Sequence, residues 1–210
     1  MVQILEFAAI VIVISASGVM APGPLFTANV AYGLKDGTKA GLKMAVGHTI
    51  IELPLVILLG VGVFSLESFP EFRIMISIFG AITLFVFAAM QIKTILRKKE
   101  VHGSTSKQGP LIAGAVLSAL NPFFIIWWLT IGFKLISDAI LVWAFTGILI
   151  VFGFHIWMDF AWLGAVSFLA AKGSKILSNK NYKTLMVGLS LILIYFGITF
   201  LMDIEPLTTI

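Results

Sequence analysis

Ala21-Pro22-Gly23-Pro24 stands inside a run from Phe7 to Leu34 that carries no charged residue. A run of that length and apolarity reads as a helix crossing a bilayer, which takes about 20 residues. Two prolines and a glycine within it must break the helical hydrogen-bond ladder. Lipid offers the broken backbone no partner, so such a break persists only where protein packs it or where it lines a cavity. A broken helix at membrane depth is therefore a pointer to a transport site. A second break, Asn121-Pro122, lies in a later apolar run.

Five more runs are long enough to cross: Met44–Leu66, Ile74–Ile92, Gly109–Phe133, Ala139–Ala171 and Thr184–Met202. The expected fold is an all-α integral membrane protein of six transmembrane helices, the first and fourth broken by proline. Charged residues make up 11% of the 210, against about 25% in a soluble domain. The chain has no cysteine, which excludes disulfides and thiolate metal sites. No cofactor is expected.

The net charge of +4 is not the footprint of a nucleic-acid binder, because the cations fall in short loops. Lys35–Lys43 holds three, Lys93–Lys107 five and Lys172–Lys183 four, which is 12 of the 14 basic residues. Arg73 and Lys134 are assigned to the second and fourth loops. The positive-inside rule then places the odd loops in the cytoplasm and both termini outside. The expected location is the cytoplasmic membrane. The N-terminus has no basic segment ahead of its apolar run, so no cleaved signal peptide is expected.

Six spans divide into a first unit at 1–96 and a second at 109–210. The hydrophilic stretch 97–108 reads as a cytoplasmic linker. Each unit opens with a Pro-broken helix preceded by small residues. Each break has a similar exit, Gly33-Leu34-Lys35 and Gly132-Phe133-Lys134. Each second helix carries His and an acid four residues apart, His48 with Glu52 and His155 with Asp159. With three spans per unit, these matches predict two inverted three-helix repeats.

At the breaks, proline crowds the carbonyl four residues back: Pro22 that of Gly18, Pro24 that of Met20, Pro122 that of Ser118. Gly23-Pro24 and Asn121-Pro122 read as N-cap followed by proline at the first helical position. The amides of Leu25, Phe26 and Thr27, and of Phe123 to Ile125, would then face a ligand with the positive end of a helix dipole. That suits a carboxylate, while freed carbonyls suit an ammonium. The candidate substrate-binding set is Pro22, Gly23, Pro24, Leu25, Phe26, Thr27, Asn121, Pro122 and Phe123.

Glu52 and Asp159 read as the only acids inside the spans. A carboxylate at mid-membrane costs about 2.5–3.5 kcal/mol on insertion scales and so calls for a role. Glu52 lies nine residues beyond Lys43, about 13 Å along a helix. His48 and His155 stand one turn before the acids on the same faces. The four side chains could relay protons, hold a cation, or only satisfy one another in packing. Pro54 could kink the helix near Glu52 or merely adjust its tilt. The tryptophans read as packing or lipid-facing residues, with Trp143 as an interface anchor.

Ala21-Pro22-Gly23-Pro24, the glycines Gly33, Gly37, Gly41 and Gly47, and Asn121-Pro122 resemble the LysE/RhtB family of amino-acid exporters. The likeness runs through nearly the whole chain in span number and motif order. It implies export of an amino acid or similar small metabolite, coupled to the proton motive force, and no enzymatic activity. Phe123 departs from the pattern, since the family commonly carries Lys after Asn-Pro. Two other readings stay open beside this one. His48, Glu52, His155 and Asp159 offer nitrogen and oxygen ligands for a divalent cation as transported metal, or for an intramembrane metalloenzyme. Small-residue faces would serve a homodimer or packing within one copy.

Overall fold

The computed structural model describes residues 2–21, 23–66, 70–96, 108–173 and 179–202. Pro22, His102 and all of the expected linker except Gln108 lie outside them. Within these residues the chain is helical. Helix α1 (Val2–Val19) and α2 (Pro24–Asp36) meet at the Ala21–Pro24 break with a bend of 74°. Gly37, at φ 64°, turns the chain directly into α3 (Thr38–Leu66), which continues through Pro54. Helix α4 is Pro70–Leu96, and α5 is a short Gly109–Ala119. Beyond the second break, α6 (Pro122–Trp127), a π turn (Trp128–Gly132) and α7 (Phe133–Trp143) form one helical run. Helices α8 (Thr146–Ala171) and α9 (Asn179–Met202) follow.

Among the described residues, three stretches are long and apolar enough to cross a membrane: Thr38–Val63, Pro122–Trp143 and Thr146–Ala171. The bent pair α1–α2 would make a fourth if it is one span. Ile50, Ile57, Leu58, Leu149 and Leu191 turn large apolar side chains outward. Exposed apolar surface on that scale suits lipid rather than water.

Charge alone misplaced two cations. Arg73 lies within α4, not in the second loop. Lys134 is not in a loop: it sits in α7, and its Nζ donates to Asp138 Oδ1 and Oδ2 at 2.9 and 2.7 Å. An i,i+4 pair that neutralises itself lets a charged residue remain in an apolar helix. The fourth apolar helix therefore runs on to Trp143, and the next begins at Thr146 rather than Ala139. Asp138 is thus a third acid within an apolar span, beside Glu52 and Asp159.

Helices from the first and second halves of the sequence interleave. Helix α3 packs most closely on α5 and α8, α2 on α8, and α4 on α9. The glycines that follow the first break explain part of this. A Cβ on Gly33 or Gly41 would collide with Ser167 and Leu163 of α8, and one on Gly47 with the Leu111 carbonyl of α5. Across the α2–α8 contact, Asn29 Nδ2 donates to the Leu163 carbonyl (2.9 Å) and Ser167 Oγ to Asn29 Oδ1 (2.7 Å). Between α4 and α9, Gly80 faces Phe200 and Gly197 faces Phe85, whereas Gly188 faces open space.

Candidate functional site

Helices α3 and α8 lie side by side and bring His48, Glu52, His155 and Asp159 into one cluster. His155 Nε2 is 3.0 Å from Glu52 Oε1 and 3.4 Å from Asp159 Oδ2. His48 Nε2 is 3.4 Å from Glu52 Oε1 and 3.7 Å from Asp159 Oδ1. Each imidazole thus faces both carboxylates, one on its own helix and one across. Glu52 is fully buried, and the other three are nearly so. A nitrogen lone pair facing a carboxylate lone pair is repulsive, so each of these contacts needs a proton on one of its two atoms.

The broken helices hold the imidazoles crosswise. His48 Nδ1, from the first unit, lies 2.6 Å from Ser118 Oγ on α5. Ser118 donates onward to the Gly114 carbonyl (2.7 Å), so its oxygen accepts from His48 Nδ1. His155 Nδ1, from the second unit, lies 2.8 Å from Ser15 Oγ on α1. The ring nitrogens facing the acids are therefore held in place from behind by the helices that break.

Trp128 Nε1 donates to Glu52 Oε1 at 3.1 Å. It does so from the π turn, a rare widening that is frequent at functional sites. Gly132 leaves the space in which the Trp128 ring lies, since a Cβ there would strike that ring. We expect Trp128→Phe, which keeps an aromatic ring but removes the donor and leaves a void at a buried position, to lower stability by at least about 1.5–3 kcal/mol, the usual worth of a hydrogen bond to a charged group. Thermal unfolding in detergent checks this, and an unchanged midpoint would mean that the bond carries no weight.

The cluster opens on a cavity of about 360 Å³, near the lower end of the roughly 300–1,000 Å³ typical of ligand pockets. Both breaks form its wall. Of the residues singled out in the sequence, Gly23, Pro24, Leu25, Phe26, Asn121, Pro122 and Phe123 line it together with His48, Glu52, His155 and Asp159. Thr27 does not line it: its amide and Oγ1 both donate to the Gly23 carbonyl at 3.0 Å. Pro22 lies outside the described residues.

The backbone groups at the breaks are more fully used than proline placement suggests. The Gly18 carbonyl accepts from Ala21 N (3.2 Å) and that of Ser118 from Asn121 N (3.1 Å). Tighter i,i+3 turns at the helix ends thus take two of the carbonyls expected to be free. At the second break, Asn121 Oδ1 accepts from Phe123 N (3.0 Å), and the Asn121 carbonyl accepts from Ile125 N (3.1 Å). Gly23 has no side chain with which to cap α2, so the first break lacks the side-chain cap that Asn121 supplies at the second.

Ser15, Ser118, Trp127, Trp128 and Trp162 were missed as site residues by sequence reasoning. Only the closeness of Trp127 and Trp128 to Asn121-Pro122 hinted at them. Trp127, Trp128 and Trp162 line the cavity, whereas Trp157 is half exposed. His48, Glu52 and Asp159 place one ligand atom each within 4.8 Å of one another, a spacing a metal ion could bridge.

An apolar helical protein that hides two carboxylates and two imidazoles beside a cavity between broken helices has the build of a multi-pass membrane transporter. A family model matches residues 16–204, nine-tenths of the chain, and the chain belongs to the LysE type translocator family. Translocators move solutes rather than transform them, which sets the metalloenzyme reading aside in general terms. No curated protein and no solved structure matches the chain.

Proposed function

We propose that this protein exports an amino acid or similar small metabolite across the cytoplasmic membrane by proton antiport with alternating access. The observation that carries the reading is the convergence of both broken helices and of His48, Glu52, His155 and Asp159 on one cavity. In this mechanism the carboxylates of Glu52 and Asp159 take either the protons shared with the imidazoles or the ammonium of a substrate. When the ammonium docks, its positive charge replaces that of a proton, which leaves the cluster. A proton entering from outside reverses the exchange and releases substrate there.

Six crossings, with both termini outside and units 1–96 and 109–210 related by inversion, fit this mechanism. The packing supports the inversion, because α3–α8 and α4–α9 pair like with like while α3–α5 answers α1–α8. The inversion is imperfect at the breaks. Helix α2 has 13 residues after its break and α5 has 11 before its own. With residues 35–43 and 97–108 both inside, the two breaks stand about 17–20 Å from the same face.

Purified protein in liposomes loaded with labelled amino acids tests the proposal. An imposed inward proton gradient should accelerate efflux of at least one of them, and a protonophore should abolish the acceleration. Efflux indifferent to the gradient would remove the antiport step. The spacing of His48, Glu52 and Asp159 favours a second reading, a divalent metal ion as substrate. Gradient-driven flux of Zn, Mn, Ni or Co with no flux of any amino acid would establish it instead.

A further inference from the structure

Four buried side-chain atoms lack a hydrogen-bond partner among the described residues: Trp127 Nε1, Trp162 Nε1, Glu52 Oε2 and Asp159 Oδ2. All four residues line the same cavity. An indole N–H only donates, and an ionised carboxylate only accepts. The cavity thus presents two spare donors, a spare acceptor at Glu52 Oε2 and a second acceptor at Asp159 Oδ2, whose contact with His155 Nε2 is a long 3.4 Å. In a low-dielectric interior such unmade bonds are costly, so an occupant that completes them is strongly favoured. The matching ligand has an anionic acceptor at one end and a cationic donor at the other.

The remaining wall fixes what lies between and beside these ends. Phe26, Met90, Phe123, Phe124 and Leu163 line it with apolar surface. Phe26 stacks on Trp162, with centroids 6.3 Å apart and planes at 22°. The donor end coincides with the first break: Gly18 stands against Trp127 Nε1, and the uncapped start of α2 carries Leu25 and Phe26 into the same wall. Glu52 and Asp159 are the only acids among the described lining residues, and both already face imidazoles. A second cationic group on the ligand would find no further carboxylate there, and a second anionic group would meet apolar wall.

We propose that the cavity selects neutral zwitterionic amino acids with a compact apolar side chain, of the leucine, isoleucine and methionine kind, over basic and acidic ones. The ammonium lies at Glu52 and Asp159, the carboxylate at the indoles of Trp127 and Trp162, and the side chain against Phe26, Met90 and Phe123. This selectivity rests on the amino-acid exporter reading, and one experiment separates the two.

Liposomes holding the unmodified protein are loaded with labelled leucine, and exchange is driven by external leucine, lysine, arginine, glutamate, isopentylamine or isocaproate. Leucine should drive exchange at least tenfold better than lysine, arginine or glutamate. Each one-ended analogue should be weaker than leucine by about a hundredfold or more, because a site built around a polar group strongly rejects a ligand without it. Trp127→Phe, which keeps a ring and removes one donor, should narrow the leucine to isopentylamine ratio about tenfold, as loss of one hydrogen bond to a charged group predicts. Parallel liposomes loaded with labelled lysine, arginine or glutamate complete the panel. Exchange of basic or acidic amino acids in preference to leucine, or without regard to side chain, overturns the selectivity and leaves the exporter reading standing. Exchange of none of these four overturns the selectivity, and if gradient-driven efflux of every other labelled amino acid also fails, the exporter reading falls with it.

Discussion

Glu52→Gln is expected to lower proton-driven efflux by about a hundredfold, while the protein still folds and inserts. Glu52 is the fully buried centre of the cluster. Its Oε1 lies 3.0 Å from His155 Nε2, 3.4 Å from His48 Nε2 and 3.1 Å from Trp128 Nε1. Glutamine keeps the size and one acceptor oxygen, so the Trp128 bond survives. What it removes is the negative charge that holds the imidazole protons and would receive an ammonium. A hydrogen bond to a charged group is worth about 1.5–3 kcal/mol, and 1.4 kcal/mol is a factor of ten, so losing the charge that receives the ammonium or proton costs up to about a hundredfold. Asp159→Asn should act in the same sense but less, by roughly tenfold, because its contacts are longer (3.4 and 3.7 Å) and it makes no bond to tryptophan. Gradient-driven efflux measured in liposomes decides the matter. Unchanged efflux in both variants would remove the carboxylates from coupling altogether.

The elements of this site differ in how far the sequence displays them. Proline and an acid are rare in apolar runs, so Pro24, Pro122, Glu52 and Asp159 mark themselves without any partner in view. His48 and His155 follow from helical spacing alone. The bonds between Trp128 and Glu52 and between His48 and Ser118 bridge 76 and 70 residues, and that between Ser15 and His155 bridges 140. No periodicity connects residues so far apart, and a serine in a membrane helix looks like any other small residue. Lys134 shows the opposite failure. Its charge reads as a loop because Asp138, which neutralises it, is recognised as a partner only once the segment is known to be helical. The break carbonyls fail for a third reason. Proline placement says which bond is lost, but the chain recovers it by tightening the preceding turn.

The other large expected effect concerns the contact between α3 and α5. At the α3–α5 crossing, a Cβ on Gly47 would collide with the Leu111 carbonyl, and one on Gly114 with the Met44 carbonyl. Both obstacles are backbone atoms, which cannot rotate aside as a side chain can, so the helices themselves must part. Gly47→Ala is therefore expected to destabilise by about 1–3 kcal/mol, the range for overpacking a tight interface. This occurs although alanine is the better helix former by about 1 kcal/mol. Gly153→Ala supplies the contrast. Gly153 lies in α8 with nothing near its missing Cβ, so the same change there should leave the unfolding midpoint level or raise it. Parting α3 from α5 also strains the 2.6 Å contact of His48, the next residue, with Ser118 on α5, so efflux should fall together with stability. Once one methyl has separated the helices, the second enters space already opened. Gly47→Ala combined with Gly114→Ala should then cost clearly less than the sum of the two, as coupled neighbours do. Midpoints from tryptophan fluorescence in one detergent provide all four comparisons. Strict additivity, or equal midpoints for Gly47→Ala and Gly153→Ala, would mean that the crossing is not the tight joint on which the geometry at His48 depends.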